Sequence, residues 1–154
     1  MDEKQIQKDI FIKIGPHFTD QELDEVIKFC LDNKITGVVA TNLVKNRTGI
    51  NFQSSAQELD HPGGVSGLFM AERSNRVISY LYQKSQGQLQ IIGVGGIYTA
   101  EDAYKKIKAG ASAVQLVTGF IYGGPLTIRD INRGLVQLIK KDGFKNITEA
   151  VGKM

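Results

Sequence analysis

Four short apolar runs separated by amphipathic helical segments constrain this chain more than any other feature. They are "IFIKIG" at 10–15, "TGVVATN" at 36–42, "LQIIGVG" at 89–95 and "SAVQLVTG" at 112–119. Each is too short for a stable helix, and their β-branched content and bounding glycines make them strands. Near-continuous apolar strands, unlike strictly alternating ones, belong to parallel sheets covered by helices.

The segments between them carry helix signals. Thr19 and Glu22 form a capping box that opens a helix with Leu23, Val26, Ile27, Cys30 and Leu31 on one face. Thr99 and Asp102 repeat the device before a helix over 100–109, which stops at Gly110. The spacing predicts a helix over about 69–84 with Met70, Val77, Ile78 and Leu81 inward. Pro125 opens a last long helix with Leu126, Ile131, Leu135, Leu138 and Ile139 on its apolar side, and a short terminal turn begins at Asn146. The 43–67 connection, of roughly two dozen residues, is far longer than the usual 2–6 of a βα loop, which marks it as functional or disordered.

Two α/β architectures fit four such units: an open doubly wound sheet, or part of a TIM (β/α)8 barrel, which needs eight units in about 250 residues. As a barrel, the 154 residues form a single unit that is half of one.

Composition narrows the function. Hydrophobic residues make up 42% of the chain, enough for one sizeable core. The net charge of +3 is dispersed, and the pairs Lys105–Lys106 and Lys140–Lys141 read as solvated helix faces, so no nucleic-acid partner is expected. One cysteine, Cys30, excludes an intrachain disulfide and suits a reducing, cytoplasmic compartment. No apolar run approaches the roughly 18 residues of a membrane span, and the polar start "MDEKQIQKD" is not a signal peptide. His17, His61 and Cys30 lack ligand-like spacing, so no metal site is expected.

The chemistry concentrates at strand ends: Lys13 in the first, Thr41–Asn42 after the second, Gly95–Gly96 after the third and Thr118–Gly119 after the fourth. The C-terminal ends of parallel strands form the functional face in both architectures. Glycine pairs there either make tight turns or free backbone N–H groups for an anion such as phosphate. "GVGGIY" is not the dinucleotide fingerprint. Lys13, flanked by Phe11, Ile12 and Ile14, either reaches solvent from the strand end or is held beneath an anionic cofactor or substrate. Asn42 and Arg47 either read a planar polar substrate or cap turns, and "HPGGVSG" at 61–67 either lets backbone approach a ligand or supplies hinges.

Six ordered blocks, "FIKIGP", "GVVATN", Arg47, "GGVSG", "IIGVGGI" and "AVQLVTGFIYGGP", resemble the C-terminal half of dihydroorotate dehydrogenase, the FMN barrel enzyme of pyrimidine synthesis. The tail "DGFKNITEAVGK" is similar to that of its quinone-linked class. The resemblance implies that Lys13 contacts the flavin ring, where its charge stabilises the anionic reduced form. It further implies that Thr41 touches FMN, that Gly67 and Gly96 admit it to the backbone, and that Val117 and Thr118 close around its phosphate. Asn42 and Leu43 would hold the pyrimidine ring of dihydroorotate or orotate. Leu43 stands where the family usually has threonine, Val117–Thr118 where it has Tyr-Thr or Tyr-Ser, and Leu68–Phe69 where Arg-Pro is common.

The family's serine base and quinone-tunnel helices belong to the first half of its chain, and no residue here is an evident substitute. Without that half the chain is expected to be inactive, with quinone contact and peripheral membrane association lying in the missing part. Two unpaired sheet edges and an uncovered inner face lead to the expectation of self-association or pairing with a complementing N-terminal half. A noncatalytic half barrel that binds FMN or another phosphate ligand is the alternative.

Overall fold

The computed structural model describes residues 8–48, 50–52, 54–55 and 60–154; most of the polar start lies outside them. Strand β1 (Phe11–Ile14) leads through a turn at Gly15–Pro16 into helix α1 (Asp20–Asp32), and β2 (Gly37–Ala40) enters the long connection. A 3₁₀ turn (Leu68–Met70) runs directly into α2 (Ala71–Lys84). Then come β3 (Gln90–Val94), α3 (Ala100–Ala109), β4 (Ala113–Gln115), α4 (Thr118–Gly123), α5 (Leu126–Lys141) and α6 (Ile147–Ala150). The sheet is parallel throughout, in the order β1-β2-β3-β4. Sequential parallel order without a switch point is how barrel strands run, and it rules out the doubly wound reading.

Local chemistry sets the helix ends. The capping boxes at Thr19/Glu22 and Thr99/Asp102 are both formed, and the Asn146 side chain accepts the Glu149 N–H to start α6. One face of the sheet, carrying Ile14, Val38, Ala40 and Ile91, packs with Leu23, Ile27, Val77, Ile78, Leu81 and Ile107 in one core. A smaller cluster of Ile97, Ala103 and Ile131 joins α3 and α5 beside β4.

The opposite face carries Lys13, Val39, Ile92 and Ala113 in one register row, and the described residues form no layer over it. Lys13 is therefore exposed rather than enclosed by apolar neighbours. Leu31 (38% exposed) and Leu126 (57%) also face outward, on the helices that lie at the two ends of the layer. The fourth apolar run is a strand only to Gln115; residues from Thr118 form the unanticipated short helix α4, since apolar character alone does not separate a strand from a helical turn.

The Lys105–Lys106 pair splits. Lys106 is 1% exposed; its stem passes over Gly93, where a Cβ would lie 3.2 Å from its Cδ, and its Nζ donates to Asn75 Oδ1 at 2.9 Å. Burial lowers its pKa from 10.5 to about 8, against the opposing pull of Asp102 and Glu72. The unfolded chain thus holds this proton more tightly, so the penalty is full below pH 8 and fades as pH rises towards 10.5. Lys106→Met is expected to stabilise the chain at pH 7 by up to about 3 kcal/mol, seen as a higher Tm. The gain should shrink between pH 8 and 10.5; a variant equally destabilised at both ends of that range contradicts the account.

Candidate functional site

The common register brings all four strand ends to one edge. The ladder continues past β2, with Thr41 N–H donating to the Val94 carbonyl (3.0 Å) and Asn42 N–H to that of Ile14 (2.7 Å). The Ala40–Thr41 peptide is cis. At this edge lies a cleft of about 140 Å³ lined by Lys13, Thr41, Asn42, Leu43, Gly67, Gly96, Val117 and Thr118, all eight sequence-designated residues, together with Ser66 and Tyr98. Lys13 is the one charged side chain among the described lining residues.

Thr41 carries the clearest sign of a ligand. It is 2% exposed, and its Oγ1 has no hydrogen-bond partner among the described residues. A buried hydroxyl left unmet costs about 1–3 kcal/mol, so such groups normally find a partner. Ser74, buried nearby, is satisfied: its Oγ donates to the Val94 carbonyl at 2.7 Å and ties α2 to the end of β3.

The glycines at the cleft are there for different reasons. At Gly96 (φ +68°) an added Cβ would lie 2.6 Å from the Ala71 N, and at Gly119 2.1 Å from the Ile97 carbonyl oxygen, so close helix packing requires both. Gly67 (φ +145°) differs, since nothing comes within 3.8 Å of its Cβ position and its backbone faces the cleft openly. Gly64 seats Leu43, whose Cδ1 would be 1.9 Å from a Cβ there, so this part of "HPGGVSG" packs a side chain rather than admitting a ligand.

Arg47 is not among the lining residues. Its Nη2 donates to the carbonyls of His61 (2.8 Å) and Gly63 (3.2 Å), while Val44 and Val65 exchange backbone hydrogen bonds of 3.0 and 2.7 Å. Together they close the neck of the long connection. Ser66, to which sequence reasoning assigned no role, lies 2.8 Å oxygen to oxygen from the Thr118 hydroxyl and fastens the end of that connection to α4. Its position just before Gly67 was the available signal.

A family model for dihydroorotate dehydrogenase matches residues 1–139. The chain belongs to the dihydroorotate dehydrogenase family. Dihydroorotate dehydrogenase (quinone) of Nostoc punctiforme is 42% identical over 154 residues, covering 97% of this chain and 41% of the relative. That of Christiangramia forsetii is 45% identical over 136 residues, covering 88% and 39%. The crystal structure of Eimeria tenella dihydroorotate dehydrogenase in complex with ferulenol superposes with a TM-score of 0.88 at 34% identity, covering 96% of this chain and 38% of that one. The chain therefore spans about two fifths of the dihydroorotate dehydrogenases it matches, and its fold is half of their TIM barrel.

In this half barrel the glycines divide by cost. Gly119→Ala is expected to destabilise by about 1–3 kcal/mol through overpacking against Ile97. Gly63→Ala, with open space around its Cβ position but φ +116°, should cost about 1 kcal/mol. Urea denaturation midpoints test the order, and equal losses would contradict the packing account.

Proposed function

We propose that this chain is the FMN-binding, C-terminal half of a quinone-linked dihydroorotate dehydrogenase, which oxidises dihydroorotate to orotate in cytoplasmic pyrimidine synthesis. The observation that carries the reading is the orphaned Thr41 hydroxyl, buried beside Lys13 in the cleft where the family resemblance puts a flavin. The lining fits that group: one cation, open backbone at Gly67, and the linked hydroxyls of Ser66 and Thr118 at the glycine end. When bound, FMN supplies the hydride-accepting chemistry.

The chain's own residues have distinct tasks. With FMN bound, the unmet Thr41 hydroxyl would donate to it and Lys13 would supply the positive charge that favours an electron-rich ring. Asn42, anchored by its N–H to Ile14, presents its amide to the pyrimidine ring. Leu43 adds an apolar contact and no hydrogen bond. Gly96 contributes backbone, and Val117 and Thr118 border the phosphate. By the family resemblance the base that removes the substrate proton is a serine of the other half of the barrel, which also supplies contact with quinone and membrane.

That other half also covers the open sheet face. A separate N-terminal half, or a second copy turned about the barrel axis, supplies four strands running in the required direction. A noncatalytic flavin-binding half barrel is the second reading, favoured because the family's serine belongs to the other half.

Purified chain supplied with FMN is expected to sediment above monomer mass with a flavin spectrum. Lys13→Met should weaken flavin binding by roughly tenfold or more, as loss of a charged partner does. With a complementing half, dihydroorotate should bleach the flavin anaerobically and a quinone analogue restore it. Flavin uptake without bleaching supports the noncatalytic reading, and a stable colourless monomer refutes both.

A further inference from the structure

Tyr98 is the least explained residue of the cleft wall. It follows the Gly95–Gly96–Ile97 turn, and its backbone N–H is held by the Asp102 carboxylate at 3.1 Å, which fixes where its side chain begins. Its Cα lies 3.4 Å from the Cβ position of Gly119, the residue after Thr118. Its phenol oxygen lies 3.8 Å from the Cβ position of Gly67, the residue after Ser66. Tyr98 thus bridges the two segments whose hydroxyls meet in the Ser66–Thr118 bond, and its own hydroxyl stands at the same end of the cleft.

Hydrogen-bond supply gives this placement a purpose. The Ser66–Thr118 contact consumes one of the pair's two O–H donors, leaving one for a ligand. A phosphate monoester has three terminal oxygens that accept strongly and repays further donors, above all where water is partly excluded. The neighbouring lining side chains Val117, Leu116 and Ile97 are apolar. Burial, with Tyr122 beside it, raises the phenol's pKa above its ordinary value, so it stays protonated at neutral pH.

We propose that Tyr98 is a phosphate-binding residue of this cleft, its phenol hydroxyl completing with Ser66 and Thr118 a set of three hydroxyls around the phosphate monoester of the ligand. The inference rests on the flavin reading above and adds the residue that makes the cleft prefer the phosphorylated form.

The test compares FMN with riboflavin, which lacks the phosphate, by quenching of flavin fluorescence on the full chain. Wild type is expected to bind FMN more tightly. Tyr98→Phe, which keeps the ring, should lose roughly tenfold in FMN affinity and leave riboflavin unchanged, while Tyr122→Phe, at an exposed site, changes neither. Unaltered FMN preference in Tyr98→Phe overturns the assignment and leaves the flavin reading intact. A wild-type chain that does not distinguish the two flavins, or binds neither, overturns the phosphate reading and the assignment together. Nitration mapped by mass spectrometry needs no variant: inorganic phosphate should shield Tyr98 and not Tyr122, and equal labelling with and without phosphate counts against the proposal.

Discussion

Parallel backbone pairing that sets Lys13, Val39, Ile92 and Ala113 in one row is the constraint on which the cleft depends. Side chains alternate along a strand, so the row settles which residues meet helices and which face the other way. It also settles level: Thr41, Val94 and Gln115 reach the same height, and the next residues leave the sheet together. A one-residue slip of β2 would turn Thr41 into the helix layer and Ala40 to the cleft. The Thr41–Val94 and Asn42–Ile14 hydrogen bonds extend the lock into the site.

The two faces of this sheet live in different dielectric surroundings, and the two informative lysines show it. Lys13 has apolar sequence neighbours yet is exposed, because the face it occupies is uncovered. Lys106 sits in a run of lysines yet is buried, because α3 presses it against β3 and α2. The family relationship gives the uncovered face its meaning, as the inside of a barrel of which this chain forms half. The cleft at its rim is accordingly one-sided, bounded on one side by the strand ends and open on the other.

Much of the molecule was legible beforehand. Strands, capping boxes and the order of units are local properties, and apolar runs, Thr19/Glu22 and Thr99/Asp102 announce them directly. The residues named from strand ends and from the family resemblance lie together in one cleft, because strand ends in a parallel sheet share an edge. What escaped were roles decided by distant neighbours. Arg47 became a brace for His61 and Gly63, Gly64 a seat for Leu43, and Thr118–Gly119 the start of helix α4 rather than the end of a strand.

By itself, then, the sequence determined the element types, the parallel α/β class, the half-barrel count and the kinship, since each follows from periodicity, capping chemistry or ordered motifs along the chain. Only the tertiary structure decided which polar groups are met. Thr41 is orphaned, Ser66 bonds Thr118 across 52 positions, Lys106 is desolvated and Lys13 is not. Burial and hydrogen-bond partnership depend on atoms remote in sequence, and no local pattern encodes them.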